Sequence, residues 1–257
     1  MHPSVRIGVG GWTFERWRGV FYPPDLPQKS ELSFASRALT SIEINGTYYS
    51  TFKPASWRKW HDETPDDFVF AVKASRYCTN RKVLGDAGPG IAHFLGQGLV
   101  ELGKKLGPIN WQFMPSKRFD AEDFGAFLAL LPRRVGDLDL RHAVEVSHPS
   151  FTSQAFYELA RRHRVAIVHT TPDDHQGLKE PTADFTYARF KTTREDVEHG
   201  LAPGEISSHA RRLRTWARHG DVFAYFISSA KVRNPAAARA LIDALSNKSG
   251  RMTTKTR

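Results

Sequence analysis

Polar and charged residues stand at the ends of most of the short apolar runs in this chain. Three of them, Glu43, Lys73 and Glu145, are residue types that transfer protons or stabilise anions when they share a pocket. We expect Lys73 to act as an electrophile or anion anchor and Glu43 or Glu145 as a general base, so these are the predicted catalytic residues. The predicted ligand-binding residues are Trp12, Asn45, Tyr48, Gln112, His148, His169, Arg189 and Tyr225.

The apolar runs number eight, and each has the length of a single β-strand. They alternate with segments of helical character, which is typical of parallel strands joined by helices. In a closed barrel of eight such strands, the carboxyl ends surround one active-site mouth. The sequence therefore predicts an α/β fold, a TIM-type (β/α)8 barrel. Its predicted strands are Val5–Gly10, Ser41–Asn45, Phe68–Lys73, Gly107–Gln112, Arg141–Glu145, Val165–His169, Asp184–Lys191 and Val222–Ile227.

Helical periodicity fills most of the gaps between these runs. The exception is Thr170–Ala183, which is rich in Pro, Asp and Gly, so the helix between strands 6 and 7 is predicted to be reduced or missing. We expect one barrel domain over residues 1–246 and a disordered basic tail over residues 247–257. The predicted helices are Ser30–Leu39 with a serine cap, Pro54–Glu63, Ile91–Leu106, Ala121–Leu131, Ser153–Arg162, Glu205–His219 and Pro235–Leu245.

Strand alternation predicts which side chains point toward the barrel axis. By this rule Glu43, Lys73, Glu145, His169 and Arg189 face inward. Lys73 and Glu43 would lie on neighbouring strands, close enough for a charge pair. The structural alternative is a lattice of ion pairs that fills the barrel centre and does no chemistry.

The composition predicts a basic protein with no internal disulfide and no membrane-spanning segment. Lysine and arginine outnumber aspartate and glutamate by 37 to 27, a formal net charge of +10, which favours acidic partners such as phosphorylated metabolites or nucleic acid. A single cysteine, Cys78, excludes an internal disulfide. No apolar stretch approaches the roughly 20 residues that span a bilayer, and the amino terminus lacks the order of a signal peptide. We therefore expect a cytoplasmic protein with no membrane partner.

Several sequence blocks resemble a known family over about Val5 to Leu245. The chain is similar to the YecE-like family, the domain of unknown function numbered seventy-two, whose members adopt a TIM-type barrel. The resemblance implies that fold, whereas the family's biochemical function is unassigned. The blocks that carry it include Gly10-Gly11-Trp12-Thr13-Phe14, Ser41-Ile42-Glu43-Ile44-Asn45-Gly46-Thr47-Tyr48-Tyr49, Phe70-Ala71-Val72-Lys73-Ala74 and His148-Pro149-Ser150.

Three positions at the expected mouth depart from the family pattern. Ser147 replaces the usual arginine before the His-Pro pair, and Lys191 stands where a histidine is common. Ile227 takes the place of the first of two asparagines after the eighth strand.

The leading functional hypothesis is a barrel whose mouth binds a phosphate-bearing small molecule or nucleotide, with hydrolase or isomerase chemistry. No cofactor and no metal are predicted. One alternative is a non-catalytic nucleic-acid-binding protein that uses aromatic and basic residues around the mouth. Another is a metal-dependent phosphodiesterase, with Glu145, His148 and His169 as candidate ligands and Glu43 as an additional one.

Overall fold

A computed structural model describes residues 4–171, 181–227 and 229–246. Within them, nine parallel strands form one sheet, and a separate antiparallel hairpin consists of β5 (Arg134–Val135) and β6 (Leu138–Asp139). The parallel strands are β1 (Val5–Gly10), β2 (Ser41–Ile44), β3 (Val69–Lys73), β4 (Leu106–Gln112), β7 (His142–Glu145), β8 (Ala166–Ile167), β9 (His169–Thr171), β10 (Phe185–Phe190) and β11 (Asp221–Phe226). Their order in the sheet is β8-β7-β4-β3-β2-β1-β11-β10-β9.

The two ends of this sheet belong to the same stretch of chain, because only Val168 separates β8 from β9. Strand β8 pairs with β7, and β9 pairs with β10, where Thr170 lies opposite Arg189. The Val168 amide donates to the Val144 carbonyl at 3.0 Å and so continues the contact with β7. The sixth strand of the barrel is thus divided between its two neighbours, and the ring is nearly closed. The predicted TIM-type barrel is confirmed.

Helices lie between the strands, and none within the described residues is long and apolar enough to cross a membrane. The predicted helix Ile91–Leu106 is wrong as a single element: it is an α-helix to Leu95 followed by a 3-10 segment over Leu99–Lys105. Gly98 lies between them at a φ of 116°, which only glycine adopts readily. The helices are α1 (Glu31–Ala38), α2 (Pro54–Asp62), α3 (Arg76–Thr79), α4 (Gly88–Leu95), α5 (Ala121–Ala129), α6 (Gln154–His163), α7 (Pro203–Trp216) and α8 (Asn234–Ser246).

The start of α1 differs from its prediction, and two other predicted segments fall outside the described residues. Ser30 precedes α1 but its side chain makes no capping hydrogen bond, so the predicted serine cap is wrong. The reduced helix between strands 6 and 7 falls largely on residues 172–180, and the tail on residues 247–257; both lie outside the described residues. The single-domain boundary at residue 246 stays a prediction.

Apolar side chains form two cores, one between the strands and the helices and one inside the barrel. The inner core is made largely of small residues and aromatic rings. Glycine at position 8 lets β1 approach β2, because a Cβ there would lie 1.7 Å from the Ser41 carbonyl oxygen. The inner core fills the barrel beneath the mouth. Its buried members are Ala71, Ala143, Ala166, Val168, Phe185, Tyr187, Phe223, Tyr225 and Ile227.

Candidate active site

A buried guanidinium joins two of the predicted catalytic carboxylates inside the barrel. Arg189, at the end of β10, donates from Nη2 to Oε1 of Glu43 at 2.9 Å and from Nη1 to Oε2 of Glu145. All three side chains are at most 5% exposed. The alternation rule therefore predicted correctly that these strand-end residues share the barrel axis.

Neighbouring side chains supply further hydrogen bonds to the two carboxylates. The hydroxyl of Tyr187 donates to Oε2 of Glu43 at 2.6 Å. Lys191 Nζ lies 3.0 Å from Oε1 of Glu145, and Asn110 Nδ2 donates to Oε2 of the same group at 3.3 Å. Buried charges of this kind persist in proteins when they are paired and hydrogen-bonded.

The ionisation of Glu145 follows from these contacts. Burial alone would raise the pKa of its carboxyl, but the charges of Arg189 and Lys191, with hydrogen bonds from Lys191 and Asn110, lower that pKa to about 2. Burial would also lower the pKa of Arg189, yet Glu145 and Glu43 raise it above its usual value. The Arg189–Glu145 pair is therefore charged at neutral pH. A carboxylate with so low a pKa binds a proton weakly, so the geometry disfavours Glu145 as a general base.

Lys73 differs from the other cations at this end of the barrel. The predicted charge pair with Glu43 is wrong: within the described residues, Glu43 makes its ion pair with Arg189. The Lys73 ammonium instead lies 4.0 Å from the centroid of the Tyr48 ring, and its side chain has no carboxylate within ion-pair distance among the residues described. Burial, together with the charge of Arg189, lowers the pKa of Lys73 despite the opposing effect of Glu43 and Glu145.

These groups form what we call the mouth ion cluster. Three of its members are cations and two are carboxylates, so the cluster carries one positive charge in excess when all are ionised. Its members are Glu43, Lys73, Glu145, Arg189 and Lys191.

A cleft of about 400 Å³ lies at the ends of β1 and β2, and no member of the mouth ion cluster is among the residues that line it. Two predicted ligand-binding residues, Trp12 and Asn45, line it together with the aromatic rings of Phe52 and Trp60. Lys231, which follows β11, supplies a cationic side to the same cleft. We call this space the mouth cleft. It combines flat apolar walls with few polar groups, as small-molecule sites commonly do.

Two other predicted ligand-binding residues lie away from the mouth. His169 was expected to face inward, but its ring stacks on Trp216 of α7 with centroids 4.7 Å apart, because Val168 and Thr170 occupy the inward positions of that strand. Tyr225 is fully buried in the inner core, and its hydroxyl lies 2.8 Å from Oγ of Ser41, one layer below Glu43. Neither side chain is placed to touch a ligand at the mouth.

The remaining predicted residues occupy the rim or its supports. Gln112 ends β4 opposite Glu145 and is half-buried. The Nδ1 atom of His148 accepts a hydrogen bond from the Ser150 amide and so caps the short 3-10 helix Pro149–Phe151. Tyr48 covers Lys73, as described above.

Sequence reasoning missed two cations. Lys191 was noted only as a departure from the family pattern, yet it lies two residues after Arg189 and extends the same inward face to Glu145. A cation two residues after an inward-facing arginine was therefore the sequence signal that Lys191 also faces the mouth. Lys231 begins the short 3-10 helix Lys231–Arg233 after β11. Its position at the mouth cleft depends on closure of the barrel, and no local sequence pattern marks it. Of the other departures, Ser147 is exposed and Ile227 joins the inner core.

The metal-ligand hypothesis finds no support in the placement of its residues. Glu145 lies in the ion cluster, His148 caps a helix and His169 stacks on the outer side of the barrel. Within the described ranges, no group of three or more His, Cys, Asp or Glu side chains could hold a metal ion.

Known structures share this architecture. A DUF72 family protein from Thermotoga maritima MSB8 superimposes with a TM-score of 0.74 and 22% identity, over 96% of this chain and 99% of that one. A DUF72 family protein from Enterococcus faecalis V583 gives 0.70 and 16%, over 96% and 98%. SacUVDE matches at 0.57 with 10% identity, over 96% of this chain and 99% of that one. At these identities the likeness shows the fold alone.

Sequence comparison reaches the same group of proteins. The UPF0759 protein YecE of Escherichia coli K12 is 24% identical over 147 residues, which are 57% of this chain and 50% of that protein. The UPF0759 protein YunF of Bacillus subtilis 168 is 25% identical over 179 residues, 67% of this chain and 61% of that protein. The matched part of this chain thus spans between half and two thirds of the length of these curated relatives. The family described as "Protein of unknown function DUF72" matches residues 6–257, and this chain belongs to it.

Proposed function

We propose that the barrel mouth binds a small phosphate-bearing molecule and that Lys73 exchanges protons with it, as in an isomerase. The observation that carries this proposal is the excess positive charge of the mouth ion cluster, in which the Lys73 ammonium has no carboxylate partner among the described residues.

Electrostatics supports an anionic ligand. An uncompensated charge in a largely buried site interacts with an incoming charge more strongly than it would in water. Arg189 is held by two carboxylates and is less available to a ligand than expected from sequence. Lys73 therefore provides the local excess of charge, and Lys231 adds a second cation at the mouth cleft.

The proton-transfer role rests on the direction of the pKa shifts. The pKa of Glu145 and that of Arg189 both move away from neutral pH, whereas the pKa of Lys73 moves toward it. A group that can gain and lose a proton near the working pH is the better acid–base catalyst. Glu43 and Glu145 then serve to position the cations.

Thermal shift measurements test the binding proposal. Inorganic phosphate, ribose 5-phosphate and a nucleoside monophosphate should each be compared with chloride at equal ionic strength. We expect at least one phosphate compound to raise the melting temperature of the wild type, because a ligand of the folded state stabilises it. The increase should vanish in Lys73→Met and persist in Lys59→Met, which removes an exposed lysine on α2. Equal shifts in both variants would contradict the proposal.

A second candidate function is nucleic-acid binding at the rim, and one observation favours it. The Arg76 guanidinium lies 5.8 Å from the Tyr49 ring and 5.5 Å from the Tyr77 ring. Both tyrosines are more than 60% exposed. Exposed rings beside a cation are able to stack on bases, and each stacked base contributes about 1–3 kcal/mol to the binding free energy.

Oligonucleotide titration separates this candidate from the first. Rim binding should weaken steeply with salt, fall in Tyr77→Ala and survive in Lys73→Met. Binding that depends on Lys73 and ignores Tyr77 would favour the mouth over the rim.

A further inference from the structure

Two buried lysines near the mouth and the barrel wall have contrasting surroundings. Lys105 Nζ donates to the carbonyl oxygens of His61 at 2.6 Å and Thr64 at 2.8 Å, so its ammonium is well solvated by the protein. Lys73 has only 8% of its surface exposed, and the structure gives its amine a ring face but no hydrogen-bond acceptor among the described residues. Lys73 therefore lacks the protein acceptors that hold the Lys105 ammonium.

We propose that Lys73 is a nucleophile that forms an imine with the carbonyl carbon of a phosphorylated aldehyde or ketone. The inference rests on the proposed function: the phosphate group binds while the Lys73 ammonium still carries the excess charge of the mouth ion cluster, and the amine attacks after it has lost its proton to water.

The position of Lys73 fits this role. It is the last residue of β3, so its side chain rises from a rigid strand at the carboxyl end of the barrel. Arg189 and Lys191, both held by carboxylates, place positive charge near the amine. A lysine that is desolvated beside other cations is the usual form of an amine activated for attack on carbonyl groups. The lowered pKa of Lys73 agrees with this geometry.

The covalent step balances without any oxidant or reductant. The lone pair of the neutral amine attacks the carbonyl carbon, and the oxygen takes up a proton from water. The nitrogen gives a proton to the hydroxide that this water becomes, which yields the neutral carbinolamine. A second proton from water protonates the hydroxyl group, which leaves as water. The carbon–nitrogen double bond then forms, and its nitrogen carries a proton. Addition of water reverses these steps and releases the ligand.

The protonated imine also fits the site electrostatically. It keeps the positive charge of the lysine, so the attraction for phosphate remains after the bond has formed. The Tyr48 ring, 4.0 Å from Nζ, faces this charge and stabilises a cation there. The cation withdraws electrons from the neighbouring carbon of the ligand, so a proton on that carbon is lost to water more readily.

Borohydride trapping tests the imine directly. The full chain is incubated with glycolaldehyde phosphate, reduced with sodium borohydride and analysed by intact mass and peptide mapping. We expect most of the adduct on Lys73 and little on Lys191 or Lys59, since burial lowers the pKa of Lys73 and so favours its neutral amine. Excess inorganic phosphate should slow labelling of Lys73 and leave Lys59 unaffected.

Two variants separate the imine from simple binding. Lys73→Arg keeps the positive charge but cannot form an imine, so it should retain the phosphate-dependent melting shift and lose the adduct. Lys73→Met should lose both. A wild-type protein that responds to phosphate yet shows no preferred adduct at Lys73 would overturn the imine and leave the binding proposal standing. The absence of both the shift and the adduct would overturn both. The labelling competition needs only the wild type, so it decides the question even where Lys73→Arg does not fold.

Discussion

Arg189 and Glu43 form an ion pair across the barrel interior, with Nη2 and Oε1 2.9 Å apart although 146 residues separate them in the chain. The same guanidinium reaches Glu145 on β7, so one side chain connects β10 with both β2 and β7. This arrangement fixes the carboxylates that surround the mouth, and Lys73 is the cation of the mouth ion cluster that has no carboxylate partner among the described residues.

Loss of Arg189 should be strongly destabilising. In Arg189→Met two buried carboxylates lose their common partner, and breaking a buried pair in this way costs about 3–5 kcal/mol. Urea unfolding at pH 7 measures the change in the free energy of unfolding. Arg58→Met is the matched control, because Arg58 is 61% exposed and pairs with Glu101 at the surface, where a pair contributes about 1 kcal/mol or less. Similar losses in both variants would contradict the structural role of Arg189.

The two buried tyrosine hydroxyls of the barrel should differ in their contribution to stability. Tyr187 donates to the charged Glu43, whereas Tyr225 shares a hydrogen bond with the neutral Ser41. Hydrogen bonds to charged groups contribute about 1.5–3 kcal/mol, compared with about 0.5–1.5 kcal/mol for neutral ones. Tyr187→Phe should therefore lower the free energy of unfolding more than Tyr225→Phe does. Chemical denaturation of the two variants in parallel shows the order, and the reverse order would count against it.

Lys73 and Lys191 should respond oppositely to replacement by methionine. Burial lowers the pKa of Lys73, so the folded state binds this proton less tightly than the unfolded state, and Lys73→Met should leave stability at pH 7 equal or higher. Lys191→Met removes a partner of Glu145 and should cost about 1 kcal/mol, since Lys191 is one third exposed. Denaturant midpoints compare the two, and a clear loss of stability in Lys73→Met would show that its amine has a stabilising partner.

His142 should make the protein less stable as the pH falls below 6.5. Burial lowers the pKa of His142 to about 4, although a hydrogen bond to the Pro132 carbonyl opposes the shift. Trp111 donates to its Nδ1 at 3.1 Å, so the folded state holds the ring neutral. The unfolded state takes up the proton first, and stability is lost between pH 6.5 and pH 4.

The size of this effect can be measured against a variant. Between pH 7 and pH 5 the contribution of His142 to the free energy of unfolding should fall by about 2 kcal/mol. His142→Gln lacks the titrating ring, so its stability should decrease less over the same interval. Parallel pH dependences in the wild type and the variant would refute the assignment.

The inward faces of β2, β3 and β7 could be predicted from sequence, because small or polar inward residues alternate there with larger outward ones. Glu43, Arg189 and Glu145 follow this rule and meet as expected. The rule failed at the sixth strand, where Ala166, Ile167 and Val168 are all apolar and give no clear period. The polar ring of His169 then suggested the wrong face.

The pairing of charges could not be read from the chain. Glu43 was assigned to Lys73 because β2 and β3 are neighbours, but the guanidinium of Arg189 reaches both carboxylates from across the barrel. A planar group with several donors is better suited than an ammonium to join two carboxylates. Which cation is left over depends on distances across the closed ring, and these exist only in the folded molecule.

The excess positive charge around Lys73 should make the mouth a binding site for phosphate-like oxyanions. Crystals soaked in tungstate, a heavy analogue of phosphate, test it through the anomalous difference map. We expect a strong peak at the mouth, with a tungstate oxygen within hydrogen-bonding distance of Lys73 Nζ in the wild type and no peak there in Lys73→Met. Peaks confined to arginines on the outer helices, with an empty mouth, would contradict the account.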